Sequence, residues 1–297
     1  MSHEHNNSTG SSMARLVWAG ILNIAIAVVE FVGGLFSGSL SIMSDALHNF
    51  TDAGSVGVSI VALRLNAKPK DLNHTFGLKR AQILAAIFNS VLLILISLFL
   101  MKEAVEHLLH SAHVEAGVMM IVGGFGLVAN LLGTFLLHRD SADNINIRSS
   151  YLHLLADSMS SAAVIVGGLF IYLFNAYWID PLLTFSISVY VLREGWEITK
   201  ELVEIIMMAT PASVDIEKVK AVIEQLPAVM NVHHVHTWTQ SENDLHFEAH
   251  VDVAPEVAVK ETTELQKDIA RRLAENFGIN HVTLQFECGL CGSKELV

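Results

Sequence analysis

Ser44-Asp45-Ala46-Leu47-His48-Asn49-Phe50-Thr51-Asp52 lies inside an apolar run extending from Ile42 to Leu63. An aspartate at the centre of a membrane-spanning helix is disfavoured by about 2.5 to 3.5 kcal/mol on insertion scales. Such a residue persists where it faces a partner, a cavity or a pathway. A second apolar run, Ser150 to Phe174, contains Tyr151-Leu152-His153-Leu154-Leu155-Ala156-Asp157. Each segment therefore carries His-x-x-x-Asp. Side chains at i and i+4 share one helix face, one turn apart. Two such faces turned toward each other offer two imidazole nitrogens and two carboxylates.

The surroundings are those of a membrane protein. Of 297 residues, 52% are hydrophobic and 16% charged, against about 25% charged in an ordinary soluble domain. A bilayer core needs about 20 apolar residues in a helix. Six runs qualify: Leu16–Phe36, Ile42–Leu63, Ala81–Met101, Ala116–Leu137, Ser150–Phe174 and Ile179–Arg193, the last continuing as helix toward Met207. The fold class expected is an α-helical membrane protein with six transmembrane helices and a C-terminal cytoplasmic α+β domain. The domains expected are a flexible tail over 1–14, a transport domain over 15–208 and a cytoplasmic domain over 209–297. The last boundary falls at Ala209-Thr210-Pro211-Ala212-Ser213, where a proline and small polar residues end a helix. Arg15, Arg64, Lys68, Lys70, Lys79, Arg80, Arg139, Arg148 and Lys200 gather on one set of loops. The positive-inside rule then places both termini in the cytoplasm and the chain in the cell membrane. The acidic excess, 30 against 18 and a net charge of −12, argues against nucleic acid as a partner. His3 and His5 belong to a polar tail read as solvated.

Two histidines and two aspartates form an N/O set suited to tetrahedral zinc. The two carboxylates balance Zn²⁺, so the loaded site is neutral. Left empty, it holds uncompensated carboxylates that should take up protons instead. His48, Asp52, His153 and Asp157 can thus bind metal or protons, but not both fully. That competition is what a metal/proton antiporter requires. Asp45, one turn from His48, is a possible accessory ligand. Glu30 and Asn130 are further polar residues within the runs, read as interhelical hydrogen-bonding groups. The duplicated motif suggests two three-helix halves of opposite orientation. One count is awkward: at 1.5 Å per residue, Asp52 lies roughly 15 Å and Asp157 roughly 25 Å from the outer ends of their runs.

The tail parses as helix Val214–Leu226, strands Val232–Thr239 and Leu245–Val253, helix Val257–Phe277 ended by Gly278, and strand His281–Glu287. His233 and His250 fall on adjacent antiparallel strands. Both cysteines, Cys288 and Cys291, follow at once. C-x-x-C there reads as a zinc half-site in preference to a redox pair. His234, His236 and His246 are read as surface residues.

These motifs, with Thr75-Phe76-Gly77-Leu78-Lys79-Arg80-Ala81-Gln82-Ile83-Leu84, Asn146-Ile147-Arg148-Ser149-Ser150 and Trp178-Ile179-Asp180-Pro181, resemble the cation diffusion facilitator family over nearly the whole chain. The resemblance implies a homodimer that exports Zn²⁺, with Cd²⁺ or Co²⁺ as further substrates, in exchange for protons by alternating access. It implies a transport site of His48, Asp52, His153 and Asp157. It also implies a ferredoxin-like, metallochaperone-like tail with regulatory zinc ligands at His233, His250 and Glu287. His281 lies one position from where some relatives place a ligand. Some relatives carry an Asp and two His between the second and third runs. Here Asp71 and His74 are present, but Leu78 replaces the second His, which leaves His74 a weak candidate. The set resembles that of zinc-preferring members, not that of manganese-type ones, and the protein is not expected to be an enzyme.

Two other readings share these residues. A membrane-anchored zinc sensor would use the tail and need an output domain, and none is read after the last strand. A metallothiol oxidoreductase would need Cys288 and Cys291 for activity.

Overall fold

The computed structural model describes residues 21, 23–110, 113–138, 145–241, 244–292 and 294–297. The tail over 1–14, with His3 and His5, and the start of the first apolar run lie outside the described residues, as do Arg139 and Glu242-Asn243 between the strands. Six helices occupy the apolar region: α1 (Asn23–Ser37), α2 (Leu40–Asn66), α3 (Ala81–Leu109), α4 (Ala116–His138), α5 (Ile145–Phe174) and α6 (Ile179–Ile206). By length and composition α3, α4 and the Tyr151–Phe174 part of α5 are apolar enough to cross a membrane. The described part of α1 is shorter. Asp45, His48 and Asp52 in α2, and Asp180, Arg193 and Glu194 in α6, interrupt the apolar character of those helices.

The chain forms two compact units, residues 1–60 with 88–199 and residues 61–87 with 200–297. In the first, α4 packs closely on α5 around Ile42, Met119, Val122, Val164 and Ile171. Small residues permit close approach where hydrocarbon surrounds the helices. A Cβ on Gly167 would lie 2.4 Å from Leu183 Cδ1, so glycine there lets α6 seat against α5.

The second unit contains α7 (Ile216–Glu224), β1 (Val229–Ser241), β2 (Asp244–Val253), α8 (Val259–Phe277) and β3 (His281–Glu287). Asp215 caps α7 by accepting the Lys218 N–H at 3.2 Å. Gly278, at φ 70°, closes α8 in the left-handed conformation that glycine adopts without strain. The sheet order is β1-β2-β3, with β1 antiparallel and β3 parallel to β2. Val219, Val232, Phe247, Ala249, Ile269 and Leu273 form its core. β1 starts three residues before the strand expected from alternation and ends two after it.

Lys79, from the loop between α2 and α3, pairs with Asp244 at the start of β2. Phe76 stands edge-on to His246, with ring centroids 5.9 Å apart. That loop therefore packs with the tail's sheet inside the second unit. Burial alone would raise the Asp244 carboxyl, but the Lys79 ammonium outweighs it and holds the group below its ordinary value.

Candidate metal centre

The helix carrying the first His/Asp pair is anchored at its start by Asp180, a fully buried residue of α6. Ser39 Oγ and Ser41 Oγ each donate to Asp180 Oδ1 at 2.6 Å, and Leu40 N–H donates to Oδ2 at 2.8 Å. A carboxylate there satisfies free N–H groups and complements the positive end of the helix.

From that anchor α2 presents His48 and Asp52 to α5, which presents His153 and Asp157. Within each helix the pair is loose: His48 Nε2 to Asp52 Oδ2 is 3.5 Å, and His153 Nε2 to Asp157 Oδ2 is 3.6 Å. The contact between helices is shorter, with His153 Nε2 3.0 Å from Asp52 Oδ2. The two imidazole centroids are 5.7 Å apart. Ligand atoms of His48, His153 and Asp157 lie within 4.8 Å of one another. The four residues thus converge, despite the unequal counts from the helix ends. Asp52 Oδ2, Asp157 Oδ2 and His48 Nδ1 are buried and lack a hydrogen bond of good geometry. Buried carboxylate oxygens without donors are costly, and a divalent cation would satisfy them.

Asp45 is buried and accepts from Ser160 Oγ at 3.2 Å. It lines the same cavity as His48, His153 and Asp157. That cavity, of about 750 Å³, runs along the facing sides of α5 and α6 and includes Ser160, Ser186, Tyr190 and Glu194. Glu194 escaped the sequence reading because the sixth run was closed at Arg193. The spacing of Leu183, Ile187, Tyr190 and Glu194, three to four residues apart, is the signal that would have placed it on the cavity face. Glu30 instead accepts from Asn49 Nδ2 at 2.8 Å, as a hydrogen-bonding role requires. Gly126 makes room for it, since a Cβ there would lie 2.6 Å from Glu30 Oε1.

A second cluster occupies the tail. His233 and His250 are direct partners across β1 and β2. Glu287, at the end of β3, reaches both: Oε1 lies 2.9 Å from His233 Nε2 and Oε2 lies 3.4 Å from His250 Nδ1. Cys291 Sγ lies 3.5 Å from His250 Nδ1 and from Glu287 Oε2. His234 joins them, with its ring centroid 5.3 Å from that of His233 and 5.0 Å from that of His250. Ligand atoms of His233, His234, His250 and Cys291 lie within 4.8 Å of one another.

Adjacent residues of a regular strand point to opposite faces. His234 escapes that rule through a register shift between His233 and His236 and a left-handed backbone, φ 48°. The irregularity turns both imidazoles to one side, and no alternation pattern announces it. The chain end holds the bulge, since His234 N–H donates to Glu295 O and Val235 N–H to Leu296 O. Burial, then the neighbouring Glu287, pushes the Cys291 thiol up, so a metal arriving there would displace a proton.

Three expected ligands stand elsewhere. Cys288 is exposed and does not join the group of His233, His234, His250 and Cys291. The strand ends at Glu287, and the turn after it carries only Cys291 back toward His250. His281 lies at the far end of β3, opposite His246, with ring centroids 4.2 Å apart. His74 sits 3.2 Å from Asp71 in an exposed turn, where Asp71 Oδ1 accepts the N–H groups of Asn73 and His74. Those backbone donors, His74 N–H first, hold the Asp71 carboxyl below its ordinary value. Asp71 is occupied in shaping the turn.

Comparison with known proteins places this geometry. Residues 16–207 match the cation efflux transmembrane domain, and residues 211–288 match the cytoplasmic domain of cation efflux proteins. The chain belongs to the cation efflux family. Among similar proteins, this cation efflux chain is 35% identical over 293 residues to zinc transporter ZitB of Pectobacterium atrosepticum, covering 98% of this chain and 90% of the relative. It is 33% identical over 285 residues to a cadmium, cobalt and zinc/H(+)-K(+) antiporter of Bacillus subtilis, covering 95% and 91%. It is 29% identical over 289 residues to the metal cation efflux system protein CzcD of Cupriavidus metallidurans, covering 97% and 90%.

Proposed function

We propose that this cation efflux protein is a secondary transporter that moves Zn²⁺, with Cd²⁺ or Co²⁺ as further substrates, out of the cytoplasm in exchange for protons. The observation that carries this reading is the meeting of two His/Asp pairs from separate helices beside one cavity. Metal would be held by His48, Asp52, His153 and Asp157, with Asp45 as an accessory carboxylate. Two aspartates balance the charge of the cation, and neutral imidazoles complete a tetrahedral N/O set. When metal leaves, the buried carboxylates favour protonation. Alternating exposure to the two sides then couples the fluxes. The membrane reading is of six spans with both termini cytoplasmic, in the cell membrane and as a homodimer joined through the tail. The tail cluster would bind regulatory zinc and act on transport through differential affinity for the two conformations.

The test is metal-dependent proton flux in proteoliposomes. Wild type is expected to show zinc-driven proton movement, and Asp157→Asn to lower it by about a hundredfold or more, since even residues supporting a ligand are worth 10- to 100-fold. Transport by Asp157→Asn at the wild-type rate would remove the site assignment.

A further inference from the structure

The four membrane ligands are unequally exposed. His153 is 37% accessible, Asp52 29%, His48 14% and Asp157 6%. The site therefore has a mouth at His153 and Asp52 and a floor at Asp157. The cavity lining includes His153, His48 and Asp157 but not Asp52. On α5 the lining residues run from Leu152 and His153 to Ala163, and on antiparallel α6 from Glu194 to Leu183. Glu194 and His153 thus fall at the same end of the lining, with Asp157 one turn further along α5.

Glu194 is the one carboxylate that α6 adds to the cavity lining. It is half-buried, and it makes no ion pair or hydrogen bond among the described residues. Its neighbours do: Arg193 pairs with Glu197, and Lys200 lies beside Glu204. The carboxylate lines the same cavity as His153 and Asp157. On the floor, Asp157 Oδ2 is buried without a hydrogen bond. Apolar groups such as Leu152, Ala156, Ile187 and Val191 share the lining with these polar side chains. A carboxylate added to a partly apolar cleft helps focus the field on an arriving cation.

We propose that Glu194 is the capture residue of the transport path: it holds the hydrated divalent cation at the mouth and passes it to His153 and Asp52. This rests on the transport site proposed above. Glu194 then governs how often a cation arrives, while the four inner ligands govern what happens once it is bound. A mouth carboxylate favours divalent over monovalent cations, because the attraction scales with charge.

The experiment measures initial zinc transport rates in proteoliposomes of the full chain, at low and high ionic strength, for wild type, Glu194→Gln, Glu194→Asp and Asp157→Asn. Size-exclusion profiles check that each variant is folded. Glu194→Gln keeps shape and removes charge. It is expected to raise the KM for zinc about tenfold, the lower end of electrostatic focusing, with Vmax within about twofold. Its KM is also expected to lose most of the salt dependence seen in wild type. Glu194→Asp, which retains the charge, should remain close to wild type. An unchanged KM in Glu194→Gln overturns the inference, as does a lost Vmax at unchanged KM or a shifted pH profile without a change in KM. Active Asp157→Asn would instead remove the inner site on which the inference is built.

Discussion

The protein builds two histidine/carboxylate clusters by opposite means. In the helical unit each pair comes from a single turn, His48 with Asp52 and His153 with Asp157, and the cluster closes when two helices meet. In the tail the clustered side chains come from a strand bulge, a strand, a strand end and the turn beyond it, and adjacent residues His233 and His234 point the same way. The helical site draws on a regular period and the tail site on a departure from one. The helical site is rich in carboxylate and graded from mouth to floor. The tail site is rich in imidazole and includes a thiol. Ligand softness therefore differs, and so should their response to acid.

The largest expected difference lies in proton competition at the helical site. Zinc binding there should release protons, and apparent affinity should fall about tenfold per pH unit for each proton displaced. Calorimetry in buffers of differing ionisation enthalpy measures this. His48→Ala should weaken that binding event by at least about tenfold and leave the tail event unmoved. Equal weakening of both events would break the distinction between the clusters.

A smaller effect separates the tail ligands. His234→Asn keeps a residue that tolerates the left-handed backbone while removing the imidazole. It should lower tail zinc affinity about tenfold. Cys291→Ser should act similarly, and Cys288→Ser should leave affinity within about twofold. Metal titration of the full chain resolves the three. A Cys288→Ser loss equal to that of Cys291→Ser would restore the joint cysteine half-site.

The smallest effect concerns the packing of the loop on the sheet. Asp244 is held below its ordinary value, the Lys79 ammonium outweighing burial. A carboxyl depressed in the folded state adds stability above its unfolded value, near 3.9, and loses it as pH falls through the folded value. Asp244→Asn should therefore cost about 0.2 to 1 kcal/mol at neutral pH. The difference from wild type should vanish in acid, as followed by denaturant unfolding.

Much of this was legible in the residues. The apolar helices, the strands and helices of the tail, and the His/Asp pair on one face of each of two helices follow from period and composition. The expectation of six spans is met by composition in α3, α4 and α5. α2 and α6 carry the ionisable residues that line the cavity, so their apolar signal is weaker. Glu194 was hidden by stopping the sixth run at Arg193. His234 was hidden because alternation assigns it to the wrong face.

What the sequence alone determined is local and periodic: which side chains share a helix face, where chain direction changes, and that charges buried in apolar runs need a partner. Only the tertiary structure decided which faces meet, that Cys291 lies beside His250, and that Glu194 lines the same cavity as His153. The physical reason is range. Hydrogen-bonding geometry and side-chain period act over a few residues, whereas the meeting of Asp52 with His153, a hundred positions away, depends on packing that no local pattern records.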